Sequence, residues 1–251
     1  MKLKQLLFAS AISVAICTQT AMAQTPRWLD PQVNRVNTEK SRSSFFAYES
    51  ESLAKKGVKE ESNRFLSMEG TWKFRFCKDH NLAPKNFFLP DYDDTLWDKF
   101  PVPGLFEMNG YGDKIYKNVG YAWATQFASN PPHVEEKNNY TGSYRRTFNI
   151  PAQWKGDRIY VHVGSATSNL TLWVNGKEVG YSEDSKLAAE FDITKYVVPG
   201  QKATIAMQVM RWCDGSYGED QDFWRFTGIA REVYMYARPA AHIQDLFVTA
   251  G

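Results

Sequence analysis

The residues best suited to chemistry lie between Arg211 and Arg231, where the chain reads RWCDGSYGEDQDFWRFTGIAR. Asp214, Glu219, Asp220 and Asp222 are interleaved with Trp212, Tyr217, Phe223 and Trp224, and Arg211, Arg225 and Arg231 bound them. Carboxylates accept hydrogen bonds from hydroxyl groups and flat rings cover apolar C–H surface, so the combination suits a sugar. The same oxygens suit a hard cation such as Na+, Mg2+ or Ca2+. A structural ion-pair network, with arginines neutralising acids and tryptophans filling a core, has the same composition, and composition leaves both readings open.

Alternating segments must position this stretch. Trp72, Phe74 and Phe76 alternate with Lys73, Arg75 and Cys77, the pattern of a half-buried strand beginning near Gly70. Tyr144, Phe148 and Ile150 share one face of a second strand, and Ile159, Val161 and Val163 line a third. Leu170, Leu172 and Val174, then Asn175-Gly176, then Val179 and Tyr181 read as a hairpin closed by a two-residue type I′ turn. Ile205, Met207 and Val209 lead into the acidic stretch, and Val233 to Ala237 lead out. Such strands joined by turns argue an all-β antiparallel sandwich.

The intervening segments are less regular. Residues 24–61 are polar and lack sustained periodicity, which predicts an extended arm packed on the domain. Glu60 to Met68 offers a short helical turn, and Asp91 to Phe100 either a short capped helix or an aromatic-rich turn. Pro101, Pro103, Gly104, Gly110 and Gly112 predict a shaped loop rather than long regular structure. Tyr181 to Ser185, carrying Glu183 and Asp184, is a second acidic turn.

Lys2 and Lys4, an apolar run from Leu6 to Cys17 and Ala21-Met22-Ala23 make residues 1–23 a signal peptide, so an exported, periplasmic protein is expected. Secretion, or a lipid anchor at Cys17, is the alternative; Ile16 sits where such anchors carry a small residue. The run is too short for a membrane span. A formal net charge of +2, with scattered Lys and Arg, argues against a nucleic-acid partner. Aromatic residues make up 15% of the chain, which in an exported protein favours carbohydrate recognition. Cys77 and Cys213 remain after the leader, as one bridge or two free thiols. His80, His133, His162 and His242 are dispersed, and no HExxH or CxxC spacing supports a zinc site.

Gly215-Ser216-Tyr217, Glu219 to Arg225, Gly228-Ile229 and Arg231 resemble the signature of the amino-terminal sugar-binding domain of family 2 glycoside hydrolases. The EDQD run and Tyr116-Lys117-Asn118-Val119 resemble its β-galactosidase branch in particular. The resemblance implies a jelly-roll, galactose-binding-like sandwich over residues 62–240, with the arm at 24–61 and the start of a following domain at 241–251, where Ile243 to Val248 would begin another strand. It implies that Asn118 and the Val119 backbone contact a galactosyl hydroxyl, and that Asp222 holds a Na+ that positions the substrate. It further implies a structural Mg2+, with Ca2+ as the alternative, held by Asp30, Glu183 and Asp214 and the Val33 carbonyl; Arg27 stands at one family ligand position.

Glycoside hydrolysis takes two carboxyl groups flanking the bond. The resembled family carries both glutamates in a (β/α)8 barrel beyond this domain, and no βα alternation precedes Gly251. The expectation is therefore a domain that positions terminal β-galactosides for an absent barrel and is inactive alone. Its partners would be a galactoside, the remaining domains of the enzyme and, in the complete protein, further copies of itself. The alternative is a stand-alone carbohydrate-binding module or the remnant of a truncated gene.

Overall fold

The computed structural model describes residues 25–219 and 221–251. The signal peptide read over residues 1–23, with Cys17, lies outside them, as does Asp220. Among the described residues no helix is long and apolar enough to cross a membrane.

Alternation along the strands becomes two antiparallel sheets packed face to face. The larger has seven strands in the order Arg35–Val36, Lys177–Ser182, Leu170–Val174, Lys202–Met210, Thr141–Asn149, Gly70–Cys77 and Asp98–Val102. The smaller has four, in the order Ala189–Asp192, Arg158–Val163, Val233–Arg238 and Phe65–Ser67. Trp72, Phe74, Tyr144 and Phe148 from the larger sheet meet Val161, Phe191, Val233 and Met235 from the smaller in one continuous core. The result is the expected all-β jelly-roll sandwich. Phe74 is fully buried, its ring 4.3 Å from Phe100 and 4.8 Å from Tyr144.

The hairpin turn forms as its chemistry requires. Val174 pairs with Lys177, and Asn175 and Gly176 both take positive φ, 50° and 81°. That is the type I′ geometry, which Asn and Gly tolerate and which matches strand twist. Pro101 lies in Asp98–Val102, an edge strand, where a missing N–H is tolerated. The segment before it forms no helix: Asp93 Oδ1 accepts from the Thr95 N–H at 3.0 Å in a turn, which leads straight into the edge strand.

Both outer faces are covered, which alternation alone does not reveal. Arg145, on the outer face of the large sheet, is buried; its Nε donates to Asp94 at 2.7 Å and its Nη1 donates to the Leu89 and Phe87 carbonyls. The 78–97 loop is thereby held over Trp173, on which Phe88 stacks at 5.2 Å. On the small sheet, Tyr160, Tyr234 and Tyr236 are covered by Phe46 and Phe65, and Arg42 pairs with Glu190 at 2.7 Å.

The arm differs from the expected extended chain in two ways. Arg35–Val36 joins the large sheet beside Lys177–Ser182, and Glu51–Lys56 forms an α-helix. Ser50 caps that helix by accepting from the Leu53 N–H at 3.3 Å, Glu51 and the two lysines suit the helix dipole, and Gly57 ends it at φ 70°. The helix buries none of its residues, so no hydrophobic period marks it. The short helical turn looked for between Glu60 and Met68 lies at Lys59–Glu61, and Phe65–Ser67 is a strand. At the far end, Ile243 to Val248 forms no strand; Ser43 N–H donates to Asp245 at 3.0 Å, tying this segment to the arm. Cys77 and Cys213 are free thiols.

Phe74→Ala is expected to cost ~3–5 kcal/mol of unfolding free energy, because a large ring leaves a tightly packed site; urea denaturation reads it, and a loss below ~1 kcal/mol would place the core elsewhere. His80 supplies a pH prediction. Its ring meets arm residue Trp28 edge-on at 5.3 Å, its Nδ1 lies 3.2 Å from Thr141 Oγ1, and burial lowers its pKa below the ordinary 6.5. The folded state then binds fewer protons than the unfolded one, so His80's contribution is present above pH 6.5 and is lost as pH falls through its depressed folded value. Replacing it, His80→Gln, is expected to flatten the fall of melting temperature over that range; an unchanged slope would remove His80 from the linkage.

Candidate functional site

The acidic stretch divides into a buried half and an exposed half. After the strand Lys202–Met210, Arg211 is fully buried, its guanidinium 4.6 Å from the Tyr140 ring centroid and 5.4 Å from that of Trp212. Its Nη2 donates to the Asp113 carbonyl at 2.7 Å, and burial lowers its pKa from a value high enough that it stays charged. Arg225 is also fully buried and lies 4.8 Å from the Trp212 centroid. It donates to the Arg211 carbonyl at 2.5 Å, to Ser216 Oγ at 3.1 Å and to Glu219 at 3.3 Å. Glu219 also accepts from Ser185 Oγ at 2.7 Å. The structural reading of the arginines is thus right for this half of the motif.

Glu107 has no signal in the sequence, because it sits in a loop without periodicity. It is 4% exposed, and its carboxylate accepts from the Thr227 N–H at 2.8 Å and the Thr227 hydroxyl at 2.9 Å. Burial raises its pKa, and those hydrogen bonds oppose the rise. Through Thr227 it anchors the carboxyl end of the acidic stretch.

The exposed half is a two-stranded ribbon, Gln221–Arg225 against Ile115–Tyr121. Gln221 pairs with Tyr121 and Phe223 with Lys117, so the single residue Asp222 faces the three residues Asn118, Val119 and Gly120. Asp222 takes φ 51° and Gly120 φ 81° at this irregularity. Positive φ costs a residue with a Cβ on the order of 1–3 kcal/mol, least for Asp and Asn, and such strain concentrates at functional sites. The bulge aims Asp222 outward, where Oδ1 accepts from the Tyr116 hydroxyl at 3.3 Å. Tyr116 and Trp224 pair across the ribbon at 5.1 Å, Trp224 stacks on Phe226 at 5.3 Å, and Tyr116, Val119, Phe223 and Trp224 are all exposed. The structure therefore brings Asn118, Val119 and Asp222 together, with a ring platform beside them.

The expected Mg2+ residues are only partly assembled. The Lys177–Ser182 strand ends at Glu183, whose N–H donates to the Asn34 carbonyl at 3.0 Å, fastening the arm beside it. Glu183 turns inward and accepts from the Tyr181 hydroxyl, while Asp184 accepts turn N–H groups from Lys186 and Leu187. Burial pushes the Glu183 pKa up to about 9, with Asp214 as a charged neighbour. Glu183, Asp214 and Cys213 offer donor atoms within 4.8 Å of one another. Asp30 is not among them: its Oδ1 accepts from the Gln32 N–H at 3.1 Å. Arg27 pairs with Glu178. A hard divalent cation takes about six oxygen donors. Two carboxylates grouped with a thiol do not match that oxygen-only cage, and Cys213 is the member without a place in the expected ligand set. Its only sequence signal is adjacency to Asp214.

Glu107→Ala is expected to cost ~2–4 kcal/mol of stability, since it leaves two buried Thr227 donors without partners, whereas Glu107→Gln keeps one acceptor and loses less. Equal melting temperatures for the two variants would show that the carboxylate is not holding the loop.

Residues 65–239 match the family described as "Glycosyl hydrolases family 2, sugar binding domain". A β-galactosidase of Priestia megaterium is 39% identical over 227 residues, covering 90% of this chain and 22% of that protein. A β-galactosidase large subunit of Leuconostoc lactis is 36% identical over 88% of this chain and 36% of its own length. This chain thus spans about a fifth to a third of such relatives. The fold also matches a β-glucuronidase of Bacteroides uniformis with a TM-score of 0.53 at 24% identity, over 70% of this chain and 18% of that one. With the sequence signature, the sandwich and these similarities together, the chain belongs to glycoside hydrolase family 2 and carries the family's sugar-binding domain.

Proposed function

We propose that the ribbon binds the galactosyl end of a β-galactoside and, within a longer polypeptide, positions it for hydrolysis by carboxylates outside this chain. The observation that carries this reading is the bulge that sets Asp222 opposite Asn118 and Val119 beside exposed Tyr116 and Trp224. Asn118 offers an amide donor and acceptor to sugar hydroxyls, and the rings offer apolar faces to C–H groups.

Asp222 supplies one exposed hard oxygen, which fits a partial Na+ site completed by oxygens from elsewhere in the enzyme. A bound Na+ would orient and polarise a sugar hydroxyl. Asp222 and Asn118 are binding residues in this reading, and bond cleavage is assigned to carboxylates outside this chain. The similarity to proteins named β-galactosidase over 90% of the chain supports galactose over other hexoses. The signal-peptide pattern of residues 1–23 supports work outside the cytoplasm, in the periplasm.

Asp222→Ala in the complete enzyme is expected to lower galactoside kcat/KM by at least about tenfold, equivalent to ~1.4 kcal/mol of lost transition-state stabilisation, and to abolish dependence on Na+. Unchanged turnover and unchanged Na+ dependence would sink the positioning role. Calorimetry with the complete protein and its Asn118→Ala variant separates binding from chemistry: weaker galactose binding is expected, and equal binding would remove Asn118 from the site.

A further inference from the structure

We infer that Glu183, Cys213 and Asp214 form a site for a thiophilic divalent cation of the Zn2+ class, not for the oxygen-bound Mg2+ that the family resemblance implies. The inference departs from the proposed galactoside site and stands independently of it. Three observations carry it.

Geometry is the first. The three residues offer one thiol and two carboxylate donors within 4.8 Å of one another, and their exposures are 7% for Glu183, 0% for Cys213 and 9% for Asp214.

The second is an unmet bond. Asp214 Oδ2 is buried and, among the described residues, has no hydrogen-bond partner beyond the Glu183 carboxyl of the same cluster. Native structures rarely leave such an acceptor bare, because it loses its hydration without replacement. Arg225, the nearby buried cation of this loop, is directed to the Arg211 carbonyl, Ser216 and Glu219. The Cys213 sulfur makes long contacts of 3.9 Å to the Ser168 carbonyl and Ser216 Oγ.

The third is donor chemistry. Mg2+ prefers six oxygens and rarely takes sulfur, whereas Zn2+ and Cd2+ bind thiolate together with carboxylate in four-coordinate sites. An open cleft lined by Asn34, Pro131, Pro132, Glu183 and Asp214 leads to the cluster, giving an entry path and room for a fourth ligand. The Tyr181 hydroxyl on Glu183 orients one ligand from outside, as outer partners do in metal sites. Bound here, the cation would join the end of the Lys177–Ser182 strand, through which the arm is fastened, to the loop that leads into the Asp222 ribbon.

The test is cobalt substitution of the chelator-stripped complete protein carrying Cys17→Ser and Cys77→Ser, so that the other two thiols of this chain give no signal. One equivalent of Co2+ is expected to produce a thiolate-to-cobalt charge-transfer band, which is lost with Cys213→Ser and bleached by Zn2+ but not by excess Mg2+. In parallel, Zn2+ is expected to raise the melting temperature of the protein with Cys213 intact, and Mg2+ at the same concentration is not. This second measurement needs no variant at position 213, so a misfolded Cys213→Ser does not shelter the inference. No Cys213-dependent band, a band displaced equally by Mg2+, or a melting temperature indifferent to Zn2+ overturns it. Galactose binding is scored separately, so failure here leaves the ribbon reading untouched.

Discussion

Two guanidinium groups with no exposure to solvent hold the functional half of this domain in place. Arg211 and Arg225 lie against the rings of Tyr140 and Trp212, and Arg225 donates to the Arg211 carbonyl. Burying charge is costly unless hydrogen bonds and polarisable surroundings offset it; here carbonyl and hydroxyl acceptors lie on one side and aromatic faces on the other. The arrangement works in both directions. The Asp113 and Arg211 carbonyls have a fixed donor, and the two guanidinium groups have fixed acceptors. From this junction Gln221 to Trp224 run exposed along the ribbon and return to the buried Arg225.

That division explains why one acidic stretch carries two kinds of chemistry. Asp214 and Glu219 face inward, one beside Cys213 and Glu183 and the other on Arg225 and Ser185. Asp222 is exposed on the ribbon, where an irregularity sets it opposite Asn118, Val119 and Gly120. The same stretch supports a structural reading and a binding reading, applied to different residues.

The arm links these regions to the rest of the fold. Its strand extends the large sheet, Trp28 and Leu29 join the cluster around Trp212 and Cys213, and Asn34 accepts from Glu183. Further along, Arg42 and Phe46 cover the tyrosines of the small sheet, and Ser43 meets the 243–248 segment. A segment with little hydrophobic pattern therefore extends the edge of the large sheet and covers the outer face of the small one. Its own stability comes from the surfaces it covers.

By itself the sequence determined the class of fold and pointed to the residues proposed to bind a sugar. Period-two alternation in Trp72 to Phe76 and Ile159 to Val163, and Asn-Gly at 175–176, are local rules that the backbone obeys wherever the chain goes. The resemblance likewise singled out Asn118, Val119 and Asp222, which the fold assembles on one ribbon. The capped helix at Glu51–Lys56 has no signature in the hydrophobic pattern because it buries nothing, and alternation is silent about the loop that covers Arg145. Only the tertiary structure decided that Asp214 turns toward a thiol, that Asp30 stays outside that cluster, and that Asp222 alone of the described acids in the stretch projects from the ribbon. Those outcomes depend on which distant side chains arrive beside each carboxylate, and desolvation and partner geometry are properties of that arrival rather than of the neighbouring sequence.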